Sequence, residues 1–204
     1  MDAYKLVYKL LVHPVRAFFR ITVTGEENLP HDGKGYILTS NHTSLLDALI
    51  IEASVDRQVK FMAKKEVFSV PVIGRVVRAC GAFPVNRGGA DVESIKTTVR
   101  LLEGGDTVGI FPQGTRHPGE DPRKTEVRHG VGLIAYRAKC GMIPVYIKTK
   151  KNKVAFFRKT EFIIGKPLSY EDLGFTDGGI AQYRNAANLV FDRICALSET
   201  QNND

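Results

Sequence analysis

The first segment of the chain, AYKLVYKLLVHPVRAFFRI (3–21), carries its polar residues at helical spacing. Wound at 100° per residue, Lys5, Lys9, His13, Arg16 and Arg20 fall within about 80° of one another. Nearly everything else there is apolar, so the pattern predicts an amphipathic helix with a wide apolar face, kinked or split into two short helices at Pro14. From residue 21 onward, short apolar runs alternate with helical periodicity. Strands are predicted over ITVT (21–24), GYILTS (35–40), VKFMAK (59–64), AFPV (82–85), DTVGIFP (106–112) and MIPVYIK (142–148), then over KVAFFRK and TEFIIGKPL. Helices are predicted from near Ser44 through LLDALIIEAS, over 70–81, 90–105 and 130–141, and around 178–198, with a long polar loop at 113–128. Strands separated by helices predict an α/β fold with one mixed, largely parallel sheet covered by helices on both faces. In such folds ligands gather at the carboxyl ends of the strands.

Length and composition narrow this further. A chain of 204 residues, 43% hydrophobic and 25% charged, supports one domain, expected at 21–204 behind the helical segment 1–20. Three cysteines without a CxxC pair argue against a disulfide framework or a structural zinc site. No apolar run reaches the roughly 18 residues of a membrane span, and no cleavable leader is evident, so the chain is expected to be neither secreted nor bilayer-spanning. The apolar breadth of the first helix, edged by Lys and Arg, instead fits a segment lying in a membrane interface. Packing against the protein's own core is the alternative, which calls for a narrower apolar face.

The formal charge of +7 is regional: residues 123–159 carry 11 Lys/Arg against 1 acidic residue, whereas 160–204 carry 3 against 7. A concentrated positive field attracts nucleic acid, anionic lipid or a phosphorylated ligand. No nucleic-acid motif accompanies it, so nucleic acid is not expected as a partner. The run KTKKNK reads as a solvated turn between two strands.

Four strand-to-loop junctions carry candidate chemistry. In TSNHTSLLDALI, His42 and Asp47 can meet only if His42 lies in the loop, with Ser44 as helix N-cap and Asp47 at the third helical position. Asp47 would then orient the imidazole and leave the other ring nitrogen to accept a proton from an alcohol. The alternative is that Asp47 simply caps a helix. In CGAFPVNRGG, Arg87 stands beside two glycines, and in GIFPQGTRHPG a buried strand enters a tight turn bearing Thr115 and Arg116. Two arginines at neighbouring strand ends suit a phosphate monoester, because the guanidinium fork pairs with phosphate oxygens. Either arginine alone reads as an ordinary surface residue. Pro144 in GMIPVYIK suggests an edge, a bulge or a shaped wall. No second carboxylate or histidine completes a metal-ligand set with His42, so no metal is expected.

Taken in order and at these separations, NHTSLLD, GAFPVNR, FPQGTR and IPVYI resemble the four sequence blocks of the glycerolipid acyltransferase family that includes 1-acylglycerol-3-phosphate acyltransferases. The likeness covers roughly residues 21–170. It implies that His42 and Asp47 form the catalytic dyad, that Arg87, Gly114, Thr115 and Arg116 position the acceptor's phosphate and glycerol, and that Pro144 shapes the acyl-donor side. Gln113 is counted with the acceptor-binding residues, and VKFMAKKEVF, with Lys64 and Lys65, is similar to the family's segment between the first two blocks. The third block departs from the usual Phe-Pro-Glu-Gly-Thr-Arg-Ser, with Gln113 in place of Glu and His117 in place of Ser. His117 could offer an extra donor toward an anion or be a plain loop histidine.

The implied function is acyl transfer from a thioester, on acyl carrier protein or coenzyme A, to lysophosphatidic acid, giving phosphatidic acid without any further cofactor. The expected setting is peripheral, on the cytoplasmic face of the cell membrane and in contact with its anionic surface. Loss of the glutamate's charge at Gln113 leaves open another lysophospholipid or a phosphate-free alcohol as acceptor. A non-catalytic membrane-binding module is the reading from a different class.

Overall fold

A computed structural model describes residues 3–71, 73–85 and 92–199, with backbone alone for 3–7, 9–11, 73, 76 and 79. Seven strands, β1 (Ile21–Thr24), β2 (Tyr36–Ser40), β3 (Val59–Lys64), β4 (Phe83–Val85), β5 (Thr107–Ile110), β6 (Gly141–Thr149) and β7 (Thr160–Ile164), join in one sheet. Their order across it is β1-β7-β6-β2-β5-β3-β4. β6, β2, β5, β3 and β4 run parallel, while β7 and β1 run parallel to each other and opposite to β6. Among the described residues the α-helices are α1 (Ala3–Phe18), α2 (Asp47–Ser54), α3 (Ile73–Ala79), α4 (Val92–Glu103), α5 (Gly130–Ala138) and α6 (Ile180–Ala196).

The sheet is buried from both sides. Leu38, Ile143, Val145 and Ile147 pack beneath Val15 of α1, Phe19 just past its end, and Ile50 and Ile51 of α2. Ile37, Val108 and Met142 turn the other way, onto Leu102 of α4, Ile134 of α5 and Val190 of α6. A strand buried on both faces loses the alternation of polar and apolar residues, which is why GYILTS and MIPVYIK read as unbroken apolar runs.

Several elements depart from expectation. α1 runs unbroken through Pro14, held on both sides by the Tyr8 hydroxyl donating to Val55 O (3.0 Å) and Arg16 Nε donating to Ala53 O (2.6 Å). Arg16 therefore leaves the polar stripe to satisfy one of the last carbonyls of α2, while Val12, Val15 and Phe19 are buried against the domain. No helix among the described residues is long and apolar enough to cross a membrane. KVAFFRK is no strand: β7 returns antiparallel to β6, residues 150–159 form the connection, and Phe157 N–H donates to Phe18 O (2.6 Å) instead of to a strand partner.

That reversal has a positional effect. Because Thr149 pairs with Thr160, the connection 150–159 lies at the sheet edge where β2 and β5 also end. β2 is prolonged there by a side chain. Fully buried Asn41 donates from Nδ2 to Ile147 O (3.1 Å) and accepts at Oδ1 from Ile147 N (2.8 Å), replacing one rung of the ladder and freeing the main chain to turn at His42. Asn41→Ala would strand both groups of Ile147 in the core. It is expected to lower unfolding free energy by about 2–3 kcal/mol, measured by urea denaturation.

Candidate active site

The turn after β2 is organised by one carboxylate. Asp47 is 0% exposed, and its Oδ2 accepts from His42 Nδ1 (2.9 Å), Thr43 N (2.6 Å) and Ser44 N (2.8 Å). Ser44 Oγ accepts from Leu46 N (3.2 Å), so residues 44–46 form a turn and α2 proper begins at Asp47, three residues later than predicted. Leu46, not Ser44, is the N-cap of α2 and no side chain caps it, so the Asp47 oxygen that holds His42 secures instead the two amides of the turn before the helix. With a carboxylate facing Nδ1, the ring proton sits there and Nε2 presents its lone pair. Nε2 has no hydrogen-bond partner among the described residues, and the His42 side chain is 15% exposed.

The imidazole is fixed from a second direction. Its ring stacks on Phe111, just beyond β5, with centroids 3.9 Å apart and planes 11° from parallel. Phe111 in turn stacks on Phe61 of β3 at 5.9 Å. Gly109 makes room for this column, because a Cβ there would collide with the Phe61 ring. Nothing in the local pattern singles out these aromatics; the one trace is a glycine inside an otherwise apolar strand, a mark of close approach.

The loop after β5 wraps the histidine backbone. Buried Gln113 accepts at Oε1 from His42 N (2.7 Å) and donates from Nε2 to Thr125 Oγ1 (2.8 Å). His117 N donates to His42 O (2.9 Å), so both main-chain groups of His42 are tied to this loop. Gly114, at φ +70°, closes the turn with its N–H on Phe111 O (3.0 Å). Arg128 N closes the loop base on Pro112 O (2.9 Å). His117 is no free donor: Nε2 meets Thr115 Oγ1 (3.1 Å) and Nδ1 meets Glu120 Oε2 (3.2 Å). Arg116 is exposed, with no hydrogen bond or ion pair among the described residues. Arg128 also escaped the sequence reading; its stem lies over Gly114, where a Cβ would come 2.6 Å from Cδ.

The remaining candidates divide. Lys64 is exposed and closes β3 opposite Val85 of β4. Arg87, two residues past Val85, lies outside the described residues. Pro144 is buried in β6 beside Thr39, but faces α6, where it lines a cavity of about 490 Å³ with Gly165, Leu168, Leu189 and Leu197. Phe111 and Phe61 pack on the opposite face, with the α1 and α2 cluster, so Pro144 is not brought to the side on which the imidazole stacks. Desolvation pushes the Cys80 and Cys195 thiols up to about 11 and Cys140 up to about 12, which leaves none of them as a thiolate near neutral pH. Among the described residues no three His, Cys, Asp or Glu side chains stand close enough to hold a metal.

An Acyltransferase family model matches residues 20–148, which include His42, Asp47 and the whole loop 113–128. The chain belongs to the acyltransferase family. Its relatives include the 1-acyl-sn-glycerol-3-phosphate acyltransferase of Bacillus subtilis (strain 168), 34% identical over 155 residues that cover 74% of this chain and 75% of the relative. The protein of the same name from Streptococcus pneumoniae (strain ATCC BAA-255 / R6) is 30% identical over 183 residues, covering 87% and 67%. The crystal structure of the 1-acyl-sn-glycerophosphate (LPA) acyltransferase PlsC from Thermotoga maritima superposes with a TM-score of 0.71 at 23% identity, covering 98% of this chain and 80% of that one. That likeness confirms the α/β architecture.

Within this acyltransferase domain the third-block glutamine has a local reason. Thr125 gives its only hydroxyl proton to Pro122 O (2.7 Å), so toward residue 113 it can only accept. An amide fits this arrangement, whereas a carboxylate would require the Thr125 proton to turn away from Pro122 O. Both ends of the Gln113 amide face His42 N and the loop. Gln113→Glu is expected to cost about 1 kcal/mol of stability, and Thr125→Val should cost less in that background than in the wild type, a coupling measurable by a double-mutant cycle in urea.

Proposed function

We propose that the protein transfers a fatty acyl group from a thioester, carried by acyl carrier protein or coenzyme A, to the free hydroxyl of 1-acyl-sn-glycerol-3-phosphate, forming phosphatidic acid. The observation that carries the reading is the 2.9 Å contact between His42 Nδ1 and Asp47 Oδ2, which leaves Nε2 unengaged at the carboxyl edge of the sheet. His42 Nε2 takes the proton of the acceptor hydroxyl as its oxygen attacks the thioester carbonyl. The imidazolium so formed is matched by the Asp47 carboxylate and by the face of Phe111 beneath it. Collapse of the tetrahedral intermediate breaks the C–S bond, and Nε2 returns the proton to the departing sulfur. The protonated thiols of Cys80, Cys140 and Cys195 fit direct transfer without an acyl-enzyme.

Acceptor recognition falls to the exposed guanidinium of Arg116, with Thr115 and Gly114 shaping the turn beside it and Arg128 adjoining. Arg87, beyond β4, is assigned the same duty, although β4 is not the strand next to β5 as the sequence suggested: β3 lies between them, and Lys64 at its end is assigned the rim. Because both ends of the Gln113 amide are engaged internally, the glutamine no longer favours a phosphate-free acceptor. α1 supports a peripheral position on the cytoplasmic membrane face, with exposed Phe18 and with Val12, Val15 and Phe19 reserved for the domain core.

Purified protein supplied with acyl-thioester should release thiol only when 1-acylglycerol-3-phosphate is present, with phosphatidic acid seen by mass spectrometry. His42→Ala and Asp47→Asn should each lower kcat by a factor on the order of 100 to 10,000 while leaving the fold intact. Folded wild-type protein that makes no product from either donor would overturn the reading. In steady-state assays Arg116→Ala should raise the KM of the acceptor about tenfold or more and that of the donor little, since a charge-assisted phosphate contact is made to one substrate only.

A further inference from the structure

The connection between β6 and β7 is the most basic and most openly apolar short stretch of the surface. Residues 150–159, KKNKVAFFRK, hold five cations and no acidic residue. Phe156 is 62% exposed and Phe157 68%, and Phe18 at the end of α1 is 47% exposed. These rings belong together: Phe18 meets Phe157 edge-on at 5.5 Å, and Phe156 stacks at 5.2 Å on the buried Phe19. Among the described residues five non-glycine positions have positive φ, and four of them, Arg20, Lys151, Asn152 and Phe157, lie at this junction. The backbone is bent against its preference while the rings stay in water. Around them stand Lys150, Lys151, Lys153, Arg158 and the exposed Arg20; Lys159 alone is partly neutralised, by Glu161 at 2.9 Å.

Aromatic tips within a collar of cations match a bilayer whose headgroups are anionic, the rings entering below the headgroups and the cations staying among them. Position agrees with this. The connection lies at the carboxyl edge of the sheet and is tied to the active-site loop, Gly119 N donating to Asn152 O (2.9 Å) and Asn152 Nδ2 to Glu120 O (2.8 Å). Leu45, beside the His42 turn at the same edge, is 75% exposed. We infer that Phe156 and Phe157, with Phe18, form a membrane-inserting wedge that holds the carboxyl edge of the sheet, and with it the dyad, against an anionic bilayer. The orienting purpose rests on the lipid-acyltransfer reading above; the insertion does not.

The chain contains no tryptophan, so Phe157→Trp introduces a single emitting indole. With phosphatidylcholine vesicles containing phosphatidylglycerol, its emission is expected to move to shorter wavelength and to be quenched by brominated acyl chains. The double substitution Phe156→Ser with Phe157→Asn, the asparagine chosen because it tolerates positive φ, should lower sedimentation with those vesicles at least about tenfold at unchanged Tm. Lys150→Gln and Arg158→Gln should each lower it about fivefold, and added salt should erase that difference.

Unshifted, unquenched emission, or equal sedimentation of the folded double variant, would overturn the wedge. So would a variant that keeps its vesicle binding but raises the KM of an acyl carrier protein donor, which would make the loop a protein dock. Binding and emission are read without substrate, so a protein that does not acylate can still pass them, and one that acylates can still fail them.

Discussion

A fully buried carboxylate must be surrounded by donors, and those Asp47 meets are the imidazole it orients, the two amides that precede its own helix and, at 3.5 Å, the Thr43 hydroxyl. Satisfying one charge therefore fixes three things at once: the point where β2 gives way to a turn, the start of α2, and the tautomer of His42. Neighbouring features converge on the same ring. Asn41 anchors the residue before it, Gln113 and His117 grip its main chain from the next loop, and Phe111 covers one face. A ring held this firmly suits the proton transfer proposed for it, because little is left to be organised when substrate arrives.

Most of the framework was legible in the pattern of residues. Strands buried on both faces announce themselves as apolar runs, and seven of the eight predicted strands and all of the helices after residue 45 stand within a few residues of their expected places. The acyltransfer chemistry was legible too, because His42, Asp47 and the Gly114-Thr115-Arg116 turn are chain-local patterns that the family match encloses. The dyad's partners across the sheet were not. Phe111 reaches His42, with Phe61 behind it, only because β2, β5 and β3 are adjacent, and adjacency is written in no single stretch of sequence. The partners of Gln113 were hidden for a similar reason. Its polarity matters to Thr125, whose proton is already committed to Pro122, and only the hydrogen-bond network reveals that.

Two local readings failed where tertiary context prevailed over propensity. KVAFFRK has the composition of a strand, yet the chain must reverse between β6 and β7, and its phenylalanines end in the turn. Pro14 was expected to kink or split α1, and it does not split it: anchors at Tyr8 and Arg16 hold the helix on either side. Those anchors also assign part of the helix's apolar surface to the domain itself, so its amphipathic breadth serves two purposes.

The single antiparallel junction of the sheet decides how much chain the catalytic rim can display. A parallel β7 would have needed a crossover of about a dozen residues or more, carried back over one face of the sheet and resurfacing at the far rim. By doubling back, the chain spends residues 150–159 wholly at the near rim, where no helix has to cover them. Val154 packs on the α1 side of the core and Phe156 stacks on Phe19, so the freedom to vary lies in the charged residues around them, and these are the natural place for relatives of one fold to differ in what they dock against.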